Sequence, residues 1–422
     1  MPDRNRVATT ALHALASSER TRHALPVGHR APVIMPTVTV DQRRLPLGAA
    51  LPVTAVRGTA TVPRPRPPVR SRLAYLPALD GLRGAAVVAV LVFHTWAAAL
   101  PGGYIGVDLF FVLSGYLITS LLLRERALTG SISLARFFGR RALRLLPPLM
   151  PVLAACTLYA VLLPGAPLAE ATLKGVWATI GYASSWLYAY GVGLGWLSHS
   201  WSLSVEEQFY ALWPPILVLL LLWGSRRVAL AACILGVGAV VEARTLMAVH
   251  GVPWERLYCG FDTRADALLI GAALALAADL GLLRRVRREV IWGVALVGLA
   301  VLAWAALRVA DPGRLAGPGF TLIDLCAAAL IAAVAIRPAP VLVRVLQTSP
   351  LVGMGRISYA MYLWHLPIYG YLVASGAVLP APATLVVVLG MTWLMATLSY
   401  ELIEAPCATL RRRLGRAERV RV

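Results

Sequence analysis

From Gly84 onward the chain is a series of long apolar stretches separated by short polar pieces. Ten approach spanning length, near residues 85–100, 106–123, 146–163, 208–223, 228–249, 265–281, 290–307, 320–336, 357–374 and 383–402. A helix needs roughly 20 apolar residues to cross the hydrocarbon core of a bilayer, and shorter ones are accommodated by tilt or local thinning. The pattern predicts an all-α fold, a polytopic membrane helix bundle with about ten transmembrane helices. An eleventh segment, about 173–190, is also apolar. Counting it as a span would invert every later loop and put Arg284, Arg285, Arg287 and Arg288 outside, so it reads as an interfacial or re-entrant piece on the outer face.

Composition agrees with this picture. Of 422 residues 59% are hydrophobic and only 14% charged, with mean hydropathy +0.71. A soluble domain is about half apolar and a quarter charged, so an ordinary soluble enzyme and an acidic disordered scaffold are both excluded. The net charge of +20 does not indicate nucleic acid. A DNA binder gathers its charge on one soluble face, whereas here the arginines fall in short runs between apolar stretches. With the N-terminus inside, 34 of the 40 basic residues lie in inside pieces and only Lys174, Arg244, Arg256, Arg264, Arg308 and Arg314 do not. This bias predicts a multi-pass cell-membrane protein with both termini cytoplasmic and the 164–207 segment outside. The five cysteines, Cys156, Cys233, Cys259, Cys326 and Cys407, have no metal-ligand spacing and imply no disulfide framework.

Residues 1–74 have no long apolar run, many arginines and a Pro-rich stretch at Val62–Val69. They read as a disordered basic cytoplasmic tail drawn to anionic lipid, or in part as sequence upstream of a later translation start. The membrane domain is expected over 75–406 and a second basic tail over 407–422.

Ionisable groups within spans mark functional sites by default. Arg83 and His94 are eleven positions apart, 20° from three full turns, so they share a helix face about 16 Å apart; Arg83 is expected at the cytoplasmic edge and His94 near mid-bilayer. Ser114 and Gly115 read as small residues for close helix packing, and Asp108 as an outer-edge anchor. Arg141 and Arg144, three apart, share a face and suit phosphate recognition, with positive-inside anchoring the alternative. The outer segment is rich in Trp and Tyr, as an interfacial belt requires, and ends in His199-Ser200-Trp201-Ser202-Leu203-Ser204-Val205-Glu206-Glu207-Gln208-Phe209-Tyr210. Glu206 or Glu207 would orient an acceptor or polarise a histidine. Ser358, Tyr362 and His365 share one face of the ninth span. Asp262, Arg264 and Asp266 read as a structural ion-pair cluster.

Together these segments resemble the acyltransferase 3 family of membrane-integral O-acyltransferases. The matching pieces are LDGLRG (79–84) with Arg83 and His94, the Gly106–Ile118 segment ending FFVLSGYLI, RRALRLLPP (140–148), WSLSVEEQFY (201–210), TRADALLIGAALA (263–275), RISYAMYLWH (356–365) and LSYELIEAP (398–406). They are collinear across residues 75–406. The resemblance implies ten spanning helices and transfer of an acyl group, commonly acetyl, from acyl-CoA to a hydroxyl. It maps the essential first-span pair onto Arg83 and His94, and the donor-binding RxxR element onto Arg141 and Arg144. Some members carry an extracytoplasmic SGNH-type hydrolase domain after the spans; a stand-alone type is expected here.

The expected chemistry follows from these residues. An attacking hydroxyl needs a base, and imidazole titrates near working pH; His94 would be that base or briefly carry the acyl group, with His365 the next candidate. Arg83, Arg141 and Arg144 would hold the phosphates of CoA, a co-substrate, while no tightly bound cofactor and no metal are expected. Trp201, Ser358 and Tyr362 are the candidate substrate contacts, with Glu206 and Glu207 beside an acceptor entering from outside, expected to be a hydroxyl-bearing carbohydrate. The expected partners are acyl-CoA, this acceptor and the lipid bilayer, without nucleic acid. The competing class is a transporter or flippase without chemistry, which the lack of a repeated hydropathy pattern between the two halves disfavours.

Overall fold

A computed structural model describes residues 75–407; the tail expected over 1–74, and nearly all of that over 407–422, lie outside the described residues. Among the described residues every regular element is helical. Ten long helices fall on the ten apolar stretches: α1 Pro77–Thr95, α2 Gly106–Thr129, α3 Leu134–Leu162, α4 Ser200–Trp223, α5 Arg226–Val249, α6 Phe261–Asp279, α7 Arg288–Arg308, α8 Pro318–Ala335, α9 Ser358–Ala374 and α10 Ala381–Ser399. Eight are long and apolar enough to cross a membrane. The other two are α9, with 17 residues, and α6, which carries Asp262, Arg264 and Asp266 in its first two turns. Their polar side chains are turned into protein: Arg264, Asp266, Ser358 and His365 are all buried. The chain is a multi-pass membrane protein built as a helix bundle.

The 173–190 segment forms two short helices, Ala169–Ile180 and Ser184–Ala189. The first has 12 residues, a rise of about 18 Å, which is too short to cross.

Three helices begin earlier than the apolar pattern indicates, and this relocates several candidate residues. Helix α3 starts at Leu134, capped by the Ser133 hydroxyl, which accepts from the Arg136 N–H. Arg140, Arg141 and Arg144 therefore stand on its first turns rather than in a loop. Helix α4 starts at Ser200, so Glu206 and Glu207 lie two turns inside it and not at an outer entrance. Helix α1 starts at Pro77, which puts Arg83 in its second turn and His94 in its last. The cause is common to α3 and α4. Their polar residues face protein or an internal cavity, so the helix continues beyond the point where lipid-facing apolarity stops. Prolines inside α3 (Pro147, Pro148, Pro151) and α4 (Pro214, Pro215) are accommodated within the helices, as neighbouring elements in a membrane bundle permit.

Helices α2 and α6 pack backbone against backbone. A Cβ on Gly115 would run into the Leu268 carbonyl, and one on Gly271 into the Val112 carbonyl. The small-residue reading thus holds for Gly115. Ser114 instead donates to Glu206 Oε1 at 2.6 Å.

The charges at the start of α6 are held in ion pairs, as expected, each with a partner from another element. Asp262 takes a two-pronged bond from Arg256 (2.8 and 2.6 Å), Asp266 takes another from Arg244 (3.0 and 2.8 Å), and Arg264 pairs with Asp108. Asp108 is therefore a fully buried partner of Arg264 and not an exposed anchor. Arg244 also donates to the carbonyls of Gly317 and Thr263 and to Thr321. These bonds tie α2, α5, α6 and α8 together. Asp324 of α8 is a third buried carboxyl, with no hydrogen-bond partner for either oxygen among the described residues.

Candidate active site

Residues of α1, α2, α3, α4 and α9 enclose a cavity of about 680 Å³. Six arginines line it, Arg83, Arg124, Arg136, Arg140, Arg141 and Arg144, against two carboxylates, Glu125 and Glu206. Apolar side chains such as Phe110, Leu117 and Leu121 also line it, as do Ser202, Ser358 and Tyr362.

The arginines differ in what holds them. Glu125 pairs with Arg136 at 3.3 Å and Arg140 at 3.1 Å. Arg141 bonds Glu207 through Nε and Nη2, each at 3.2 Å, and its guanidinium lies on the face of Tyr210. Carboxylate and ring together fix its plane. Arg83, Arg124 and Arg144 have no carboxylate within ion-pair distance among the described residues. Arg83 Nε is buried without a hydrogen-bond partner among the described residues. An arginine-rich cavity with unpaired guanidinium groups is suited to a multiply charged anion such as a phosphate ester.

The two candidate histidines meet outside this cavity. His365 Nε2 lies 3.3 Å from His94 Nδ1, His94 on the last turn of α1 and His365 fully buried on α9. Tyr362 connects the two regions: it lines the cavity while its ring packs 5.3 Å from that of His365. Its hydroxyl is held 2.7 Å from Ser202 Oγ and donates to the His199 carbonyl at 3.0 Å.

The structure therefore gathers Arg83, Arg141, Arg144, Glu206, Ser358 and Tyr362 around one cavity, with Glu207 behind Arg141 and the histidine pair behind Tyr362. Trp201 is not among them; it packs 4.7 Å from Tyr258 and edge-on to Phe111 at 6.0 Å, and lines no part of the cavity. Sequence reasoning gave Ser114 only a packing role, missed Ser202 and Tyr210, and counted Arg124, Arg136 and Arg140 only as inside charge. It also passed over His199, a buried residue whose ring lies 4.9 Å from that of His365. The available signal was position: Ser202 and Tyr210 are each one helical turn, on the 3.6-residue period, from Glu206.

A family model described as an acyltransferase domain matches residues 76–400. The chain is 32% identical over 349 residues to the O-acetyltransferase OatA of Staphylococcus aureus (strain NCTC 8325 / PS 47), an alignment that covers 79% of this chain and 57% of that protein. The same figures hold for O-acetyltransferase OatA of Staphylococcus aureus (strain COL). The chain thus spans little more than half the length of these relatives. No solved structure matches.

Proposed function

Because the chain belongs to the acyltransferase family, through residues 76–400, we propose that it moves an acyl group, acetyl in the first instance, from acyl-CoA to a hydroxyl of a carbohydrate, cell-surface glycan or secondary metabolite. The choice of acetyl follows the relatives, which are O-acetyltransferases by name. The observation that carries the reading is the cavity: six guanidinium groups around a space of about 680 Å³, with Tyr362 between it and a pair of histidines. That volume falls in the range of pockets that hold small molecules and cofactors.

In this reading Arg83, Arg141 and Arg144 hold the CoA phosphates, and the thioester points past Ser358 and Tyr362 toward His94. Glu207 keeps Arg141 in plane, and Glu206 stands on the donor side with it rather than beside the acceptor. The acceptor reaches His94 at the end of α1 remote from Arg83, about 16 Å away along the helix. His94 takes the hydroxyl proton as oxygen attacks the thioester carbonyl. The Arg partition supports a cytoplasmic donor side with both termini on it, so a cytosolic donor would serve an acceptor from the other face.

The test is acetyl-CoA binding and transfer of labelled acetyl by the purified protein across a panel of hydroxyl compounds. Saturable donor binding with acceptor-dependent release of CoA thiol is the expected result, and no donor binding would sink the proposal. Arg144→Ala should raise the donor KM by roughly 10–100-fold with kcat little changed, since a hydrogen bond to a charged group contributes about 1.5–3 kcal/mol. An unchanged KM would make Arg144 an anchoring residue.

A further inference from the structure

The histidine pair has a definite hydrogen-bond direction, which follows from its neighbours. His365 Nδ1 lies 2.6 Å from the Tyr362 carbonyl oxygen. A carbonyl only accepts, so in neutral His365 the proton is on Nδ1 and Nε2 presents a lone pair. That lone pair is 3.3 Å from His94 Nδ1, which must therefore supply the proton between them. A second contact agrees: His94 Nδ1 is also 3.0 Å from the Val90 carbonyl oxygen. Both neighbours demand the Nδ1–H form of His94, and that form leaves Nε2 as its basic nitrogen.

We propose that His365 is the positioning residue of this acyltransferase: its Nε2 accepts the His94 Nδ1–H, fixes the tautomer that makes His94 Nε2 the base, and steadies the imidazolium formed during transfer. The inference rests on the reading of His94 as the base. The acceptor O–H bond breaks, its proton passes to His94 Nε2, and the oxygen electron pair forms the new bond to the thioester carbonyl carbon. Collapse of the tetrahedral adduct breaks the C–S bond; the electron pair leaves with sulfur, and the proton on His94 Nε2 converts the thiolate to CoA thiol. While that proton resides on His94, its Nδ1–H bond is charge-assisted and correspondingly stronger.

Hydrolases often give this orienting task to a carboxylate. Among the described residues none hydrogen-bonds either ring, and a second imidazole takes its place. The titratable groups beside the pair are His199, its ring 4.9 Å from that of His365, and Tyr362 at 5.3 Å. Both are themselves buried and neither is a carboxylate, so no fixed negative charge faces the pair.

Two variants of the full chain in detergent separate positioning from packing. Leucine at 365 fills space without accepting a hydrogen bond; glutamine places a carbonyl oxygen near the position of Nε2 but does not titrate. His365→Leu should lower kcat by roughly 10²-fold with donor KM unchanged, a smaller loss than the ~10⁴ seen when a charged orienter is removed. His365→Gln should return kcat to within about tenfold of the parent and simplify the acid limb of the kcat–pH profile to a single titration. Equal kcat for the leucine and glutamine variants, or a leucine variant whose donor KM moves as much as its kcat, would overturn the proposal. The parent reading fails by a different result, unimpaired turnover in His94→Ala.

Discussion

Replacing His94 with alanine is expected to lower the turnover of acyl transfer by roughly 10²–10⁴-fold, the usual contribution of a positioned general base. A hydroxyl is almost wholly protonated at neutral pH, so attack on a thioester needs a group that takes the proton as the C–O bond forms. His94 is the half-buried member of the histidine pair, whereas His365 is fully buried. Donor binding should survive, because His94 does not line the arginine-rich cavity and stands about 16 Å along α1 from Arg83. Folding should survive as well, since a half-buried side chain on a terminal turn leaves little cavity behind. The measurements are kcat and acetyl-CoA affinity on the same preparation. Turnover within a few-fold of the parent would place the base elsewhere.

The sequence made the lipid-facing part of this bundle readable and left much of its interior hidden. All ten apolar stretches became long helices, because a side chain against lipid must be apolar whatever its neighbours are. The ends of α3 and α4 were misplaced for the converse reason: Arg140, Arg141, Arg144, Glu206 and Glu207 belong to helices whose polar faces meet one another or the cavity, and a hydropathy window cannot distinguish that from a loop. The common face of Arg83 and His94 could be derived from helical period alone, but not their positions along α1, which depend on where that helix begins. Contacts distant in sequence were out of reach. Asp108 and Arg264 are 156 positions apart, His94 and His365 271, and nothing local in either segment indicates the other. The packing of Trp201 on Tyr258, away from the cavity, likewise depends on a part of the chain that nothing local indicates.

Arg264→Ala should be strongly destabilising, at about 3–5 kcal/mol, the cost of leaving a buried partner uncompensated. Arg264 and Asp108 are both fully buried, and the guanidinium also lies 4.1 Å from the ring centre of Phe320. Removing the arginine strands Asp108 on α2, the helix that also contributes Phe110 and Ser114 to the cavity, so lost stability should be accompanied by weaker donor binding. The double variant Asp108→Asn, Arg264→Met should be more stable than Arg264→Ala, because it removes both charges and restores volume. Asp324→Asn should cost less than either, since that carboxyl has no hydrogen bond to lose. Thermal unfolding in detergent can follow all three with a thiol-reactive dye, because Cys156, Cys233, Cys259 and Cys326 are free and buried in the folded chain. A loss below about 1 kcal/mol for Arg264→Ala, the size of an ordinary substitution, would mean that water or a rearranged partner reaches Asp108, and that the pair does not hold α2 against α6.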